Sequence, residues 1–188
     1  MKHPLDFIRA EQRRAFFLPL LVLTLVLFAV MQALNAPLQT DAAPAGIVSF
    51  ELARTTEKAF QILVSWEPIR NAGGAAIPTK WLYAAFGLGF DYLFMTAYAL
   101  TIALGVLLAA DKHTGWIKSL GAAAGWGVLL AAALDAVENF ALWKVLLGNI
   151  LPSWTQLAAV CASLKFGLIV LGILYAMVAG ILPGRPKA

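Results

Sequence analysis

Four long apolar stretches constrain this chain more than any other feature of its sequence. Each is long enough to cross the hydrocarbon core of a bilayer as a helix, which takes about 20 predominantly apolar residues. Because 61% of the 188 residues are hydrophobic and only 13% are charged, one water-soluble core of this size could not cover the apolar side chains. The sequence therefore predicts four transmembrane helices, over residues 16–34, 81–110, 115–147 and 154–182.

The basic residues between these stretches predict an orientation. They are concentrated in the N-terminal segment 1–15, in the short loop that holds Lys112 and Lys118, and in the tail 183–188. The positive-inside rule places all three segments in the cytoplasm, so we expect a multi-pass protein of a bacterial cytoplasmic membrane with both termini inside. The expected partner is the lipid bilayer, with other membrane subunits or a second copy left open. Scattered basic residues without interleaved aromatic ones argue against nucleic acid.

The segment between the first two spans predicts one more helix. In residues 46–66, apolar side chains recur at helical spacing and charged ones occupy another face, which is typical of an amphipathic helix. Pro68, Gly73, Gly74 and Pro78 then break the pattern before the second span. The predicted fold class is all-α: a polytopic membrane four-helix bundle, residues 16–182, with an additional amphipathic extracytoplasmic helix.

Charged residues inside the predicted spans give the strongest indication of a site. The run "LLAAALDAVENFALW" carries two carboxylates and an amide on one helix face, and the second and fourth spans each add an ionisable group. At 1.5 Å per residue, all lie about 12–18 Å from the outer ends of their spans. Exposing one such charge to lipid costs about 2.5–3.5 kcal/mol. We therefore predict an interior polar site formed by Asp91, Asp135, Glu138, Asn139 and Lys165, with Tyr98 one or two turns deeper.

The charge balance of this site leaves two interpretations open. Three carboxylates face one ammonium, and like charges cannot all stay ionised in a low-dielectric site. Either a proton or a cationic ligand supplies the missing charge, or Lys165 forms a structural ion pair with Asp91 or Asp135. Glu51 is interpreted as a solvated charge of the outer helix, with a position turned towards the same cavity as the alternative.

The sequence indicates no cofactor and no metal centre. Cys161 is the single cysteine, and both histidines, His3 and His113, lie outside the predicted spans. A haem held by a transmembrane histidine pair or a histidine-based zinc site is therefore not expected. Nucleotide-binding loops and Ser-His-Asp sets are also missing from the sequence.

Four strings of the sequence carry a resemblance. "GIVSFELA", "FDYLFMTAYAL", "LDAVENFAL" and "SLKFGLIVLGILY" resemble corresponding stretches of small four-span bacterial integral membrane proteins to which no activity is assigned. The resemblance covers most of residues 46–176. It implies a four-span membrane protein and implies no reaction, cofactor or established site.

Three functions stay open at this point. In the first, the acidic cluster binds a proton, a cation or a small amphipathic ligand from the outer side. In the second, the protein is an accessory subunit of a larger membrane complex, and the buried charges only fix the helix register. In the third, it is a membrane enzyme that acts on a lipid-like substrate, with Asp91 and Asp135 as acid and base.

Overall fold

The computed structural model describes residues 1–67, 69–70, 74, 76–77 and 79–184. Three of the predicted helix-breaking residues, Pro68, Gly73 and Pro78, and the last four residues of the tail lie outside this described part. The elements follow in the order α1 (Ala10–Asn35), a 3-10 turn (Ala36–Leu38), α2 (Ile47–Glu51), α3 (Thr56–Ser65), β1 (Ile69–Arg70), β2 (Ala76–Ile77), α4 (Thr79–Ala110), α5 (Gly115–Leu146) and α6 (Pro152–Ile181).

The predicted all-α fold class is confirmed. Helices α1, α4, α5 and α6 each have the length and the mean hydropathy of a membrane span. The ends of α4, α5 and α6 fall within two residues of the predicted bounds. Helix α1 begins six residues earlier than predicted, because Arg13 belongs to its first turns and is buried by ion pairs instead of lying in a surface segment. Strands β1 and β2 form only a two-residue antiparallel ladder.

The prediction of one continuous helix over residues 46–66 is wrong. The structure has two short helices there, α2 and α3, because the backbone between them adopts non-helical conformations. Arg54 has a positive φ of 60°, which a helix does not tolerate. Thr55 then begins the new helix as its N-cap, since its side-chain oxygen accepts a hydrogen bond from Lys58 N at 3.2 Å.

Backbone contacts divide the chain into two compact units. We call the first the terminal unit, which comprises Met1–Val26, Met95–Leu134 and Leu164–Ala188. We call the second the loop unit, which comprises Leu27–Phe94 and Asp135–Ser163.

The loop unit has an aromatic core around Trp66. This side chain is fully buried, and its indole N–H donates a hydrogen bond to Leu38 O at 2.8 Å. Its ring and the Phe50 ring pack edge to face, with 5.4 Å between their centres. Trp66 follows α3, and Phe50 lies on α2, so both short helices are fixed to the same core. Leu88 of α4 and Leu142 of α5 complete it. The apolar faces of α2 and α3 are therefore buried against the N-terminal part of α4 and the C-terminal part of α5.

Helix α2 is held in place by an asparagine clasp. Asn35, at the end of α1, accepts a hydrogen bond from Ile47 N at 2.7 Å and donates to Ala45 O at 3.3 Å. Gly46, between them, has φ +62° and ψ −124°. A Cβ atom at Gly46 would overlap the side-chain amide of Asn35. Glycine is therefore needed here for two independent reasons, the backbone conformation and the close approach.

Polar contacts tie the terminal unit together. The Arg13 guanidinium forms ion pairs with Asp6, at 3.0 Å, and with Asp111, which follows α4. The hydroxyl groups of Thr24 and Thr101 are hydrogen-bonded at 2.8 Å, linking α1 to α4. One hydroxyl donates to the other in this pair, so it forms an interhelical hydrogen bond of the kind that joins membrane helices.

The N-terminal residues pack on a glycine of α5. His3 is buried and lies against Gly125, where a Cβ atom would overlap its ring, and Trp126 Nε1 donates to Lys2 O at 3.1 Å. Leu5 N donates to His3 Nδ1 at 3.1 Å, whereas His3 Nε2 has no hydrogen-bond partner among the residues that the structure describes. Gly125 therefore serves intramolecular packing.

We predict that Gly46→Ala destabilises the protein by about 1–3 kcal/mol, as expected for a residue forced into a conformation that favours glycine, and that the overlap with Asn35 adds to this cost. Gly148→Ala is the matched control, because Gly148 also has a positive φ, 89°, but open space at the Cβ position. Thermal unfolding in detergent measures both. Equal losses in the two variants would contradict the role of the clasp.

We predict a pH dependence of stability that originates in His3. Burial lowers the pKa of its imidazole from 6.5 to about 4; Asp6 and Asp111 oppose this shift, and Arg13 reinforces it. As the pH falls, His3 therefore takes up a proton in the unfolded chain at a higher pH than in the folded chain. Protonation then favours the unfolded state, so the free energy of unfolding decreases as the pH falls from about 6.5 to about 4. The thermal midpoint of His3→Gln should fall less over this range than that of the wild type. His113→Gln is the control, because it removes the other histidine of the chain and leaves His3 in place. A wild-type pH slope that persists in His3→Gln would contradict this assignment.

Candidate functional site

Helices α4 and α5 bring two of the predicted site residues into direct contact. Asn139 Nδ2 donates to Asp91 Oδ2 at 2.7 Å. Both residues are almost completely inaccessible, with 2% of Asn139 and 8% of Asp91 exposed. A hydrogen bond to a charged acceptor is among the stronger ones in proteins, and here it joins the two helices within the loop unit. Of the residues predicted to form the site, the structure therefore brings Asp91 and Asn139 into contact.

A small cavity of the loop unit lies beside the pair. Asp91 and Asn139 line it together with Glu51 of α2, and most of the remaining wall is apolar, including Met31, Leu34 and Leu88. Its volume is about 20 Å³, which is enough for roughly one water molecule. The cavity therefore combines two carboxyl groups with the amides of Asn35 and Asn139 in a space that admits only a very small occupant.

Glu51 is the site residue that the sequence reasoning placed differently. We expected a solvated charge of the outer helix, with a position turned towards the cavity as the alternative. Because 7% of Glu51 is exposed and its side chain lines the cavity, the structure agrees with the alternative. The helix that carries Glu51 also ends there, before the break between α2 and α3. Thr55, with its preference for a helix start, was the signal in the sequence that could have indicated the break.

In the described part of the chain, only one of the two polar atoms of the Asn139 side chain forms a hydrogen bond. While its amide nitrogen donates to Asp91, its carbonyl oxygen Oδ1 is buried and has no hydrogen-bond partner in the described part of the chain. An unsatisfied buried acceptor costs about 1–3 kcal/mol, and this one belongs to a residue that lines the cavity. A hydrogen-bond donor in the cavity would remove that cost.

Asp135 and Glu138 are buried on the same helix as Asn139. Only 2% of Asp135 and none of Glu138 is exposed. Residues at i, i+3 and i+4 share one face of a helix, so burial of all three confirms that the polar face of α5 points into the protein. Tyr92 OH donates to Ala136 O at 3.2 Å and adds a second link between α4 and α5.

Tyr98 and Lys165 belong to the terminal unit. Both are buried, with 5% of Tyr98 and 4% of Lys165 exposed. The ammonium of Lys165 lies 5.0 Å from the centre of the neighbouring Phe166 ring, a distance at which a cation is attracted to an aromatic face. The pairing of Lys165 with the acidic residues stays a prediction.

The described residues contain no group of three or more His, Cys, Asp and Glu side chains that could hold a metal ion. The polar groups that line the cavity are the carboxyl groups of Glu51 and Asp91, the amides of Asn35 and Asn139, and the phenol of Tyr83. Carboxyl groups can exchange a proton, and the amide oxygen of Asn139 can accept a hydrogen bond from a protonated carboxyl group or from a water molecule.

The sequence matches no protein-family model, and no curated protein or solved structure is significantly similar to it. The class of protein follows from the fold itself. Four apolar helices of spanning length and a set of buried charged residues define a multi-pass helical membrane protein. The resemblance to small four-span bacterial membrane proteins stays a prediction.

We predict that Asn139→Ala lowers the free energy of unfolding by about 1–3 kcal/mol, because it leaves the buried Asp91 carboxylate without this donor. Asn149→Ala is the matched control, since Asn149 follows the same helix but is exposed. The measurement is chemical or thermal unfolding in detergent. A double-mutant cycle with Asp91→Ala should show a coupling energy between positions 91 and 139. Additive losses would contradict the hydrogen bond as a source of stability.

Proposed function

We propose that this membrane protein binds and releases a proton at an interior carboxyl site formed by Glu51, Asp91 and Asn139. The observation that carries the proposal is the hydrogen bond from Asn139 to Asp91 at the wall of a cavity that Glu51 also lines. Two carboxyl groups at one small cavity can share a single proton more easily than they can both stay ionised. The site then changes its charge by one unit when the proton leaves.

The size of the cavity favours a proton over the other ligands that the sequence left open. Pockets for organic ligands typically have volumes of about 300–1,000 Å³, whereas this one has about 20 Å³. An amphipathic ligand or a lipid-like substrate would need α2 or α4 to move. A proton, carried by a carboxyl group or by one water molecule, needs no movement.

The ligand chemistry of the cavity also favours a proton over a metal ion. Calcium takes six to eight oxygen ligands, and magnesium takes six. The polar residues of the cavity wall are Glu51, Asp91 and Asn139, with Asn35 and the phenol of Tyr83. Both ends of the Asn35 amide are hydrogen-bonded to the backbone of the loop before α2. A metal ion here would need several waters to complete its coordination shell, and a cavity of about 20 Å³ has room for roughly one.

The proposed route of the proton leads to the outer side of the membrane. The cavity is lined by the end of α1, by α2 and by the first four turns of α4, with Asn139 of α5. In the orientation that the positive-inside rule predicts, these segments lie on the extracytoplasmic side of a bacterial cytoplasmic membrane. In the same orientation, Asp135 and Glu138 would extend the buried acidic face of α5 from Asn139 towards the cytoplasm.

We predict that infrared difference spectra of the reconstituted protein between about pH 8 and about pH 4 contain the carbonyl band of a buried carboxylic acid that gains its proton. Asp91→Asn and Glu51→Gln should each remove or shift that band, because each removes one of the two carboxyl groups at the cavity. Asn139→Ala should shift it, because the band position depends on hydrogen bonding.

Asp41→Asn is the matched control for this experiment. Asp41 is an exposed carboxylate of the same unit, so its removal should change only the bands of solvated groups. The spectra are recorded in potassium and again in sodium at equal ionic strength. A band that survives both Asp91→Asn and Glu51→Gln would overturn the proposal, and so would a titration that depends on the identity of the alkali cation.

A further inference from the structure

A long apolar groove runs between the first half of α5 and the last half of α6, within the terminal unit. Its walls include Trp116, Leu120 and Ala123 on α5, and Leu171, Leu174 and Val178 on α6. Its volume is about 550 Å³, which falls within the range typical of ligand pockets, about 300–1,000 Å³. We propose that this groove binds an acyl chain of an anionic phospholipid, with the lipid headgroup at Lys112.

The groove exists because the two helices present side chains of different size. Helix α5 contributes Ala123, Ala124 and Gly127, whereas the facing residues of α6 are mostly leucines. Close approach of the helices is fixed at Gly121, where a Cβ atom would come within 2.5 Å of the Tyr175 hydroxyl oxygen. Beyond this contact the small residues of α5 leave space that the leucines of α6 do not fill.

The wall of the groove is suited to a hydrocarbon chain and to no polar ligand. Every lining residue is apolar apart from Tyr175, and the Tyr175 hydroxyl donates to Ile117 O at 2.9 Å. A polar molecule in the groove would lose hydration without gaining hydrogen bonds. Leu171 and Val178 are more than half exposed on a helix of spanning length, so the groove opens towards acyl chains. Association inside a membrane depends on close packing, and a flexible chain can follow the wall.

The charges at one end of the groove select the headgroup. Lys112 Nζ donates to Gly180 O at 2.7 Å, and His113 Nε2 lies 2.7 Å from the carbonyl oxygen of Ala179, a residue of the groove. An ammonium has three donors, so Lys112 can also bind a phosphate. Trp116, which is 75% exposed, begins this end of the groove, and tryptophan is typical of the headgroup level. Residues 111–118 carry two lysines and one aspartate, which favours an anionic lipid.

The experiment is native mass spectrometry of the full-length protein in detergent, titrated with phosphatidylglycerol and, separately, with phosphatidylcholine. The wild type should bind phosphatidylglycerol more tightly. Ala123→Trp should weaken binding of both lipids by roughly tenfold, because the indole fills the groove; a tenfold change corresponds to 1.4 kcal/mol. Lys112→Gln should weaken only phosphatidylglycerol, by about fivefold, as expected for one lysine near an anionic lipid.

Two control variants separate these effects from general ones. Ala133→Trp adds the same indole to α5 at an exposed position outside the groove, and Lys58→Gln removes one positive charge from the exposed face of α3. Both should bind the two lipids as the wild type does. Unchanged lipid binding in Ala123→Trp would overturn the proposal. So would a dimer that Ala123→Trp dissociates without any change in lipid binding, because the groove would then be an interface between two copies.

Discussion

The hydrogen bond between Asn139 and Asp91 depends on a constraint that governs the whole chain: a polar group removed from water must find its partners inside the protein. At membrane depth, neither lipid nor solvent can supply them. The chain meets this requirement at Asp91 with an amide from the facing helix, at the Thr24–Thr101 pair with two hydroxyls, and at Arg13 with two carboxylates. Each solution joins elements that are distant in sequence, so the polar residues act as specific contacts between helices that apolar packing alone would leave less defined.

This constraint explains why so much of the fold could be predicted from sequence. Length and hydropathy determine where a helix can span a bilayer, and the observed α4, α5 and α6 end where the apolar stretches end. Burial of Asp91, Asp135, Glu138 and Lys165 could be predicted in the same way, from the cost of exposing a charge to lipid. The start of α1 was less predictable, because the ion pairs of Arg13 with Asp6 and Asp111 are tertiary contacts that no local pattern reveals.

The segment between α1 and α4 is where the prediction from sequence was wrong. Periodicity correctly indicated helical structure but could not distinguish one helix from two, since the break depends on a single positive φ at Arg54 and a cap at Thr55. Trp66, at the end of this segment, is the centre of a buried core that periodicity alone does not reveal. Glu51 was expected to be a solvated charge of the outer helix, yet it is buried at the cavity. Tertiary packing overrides local pattern at these positions.

The cavity at Asp91 and the groove at Ala123 illustrate how residue size and polarity distinguish two kinds of binding. The cavity at Asp91 is small because large apolar side chains, among them Met31, Leu34 and Leu88, fill the space around three polar groups. The groove at Ala123 is large because small residues face leucines, and nearly all of its surface is apolar. A site of the first kind can distinguish protonation states but cannot hold a chain of carbon atoms, whereas a site of the second kind can hold the chain but has no group to exchange. The proton proposal and the lipid proposal therefore depend on different residues, and the failure of one leaves the physical argument for the other unchanged.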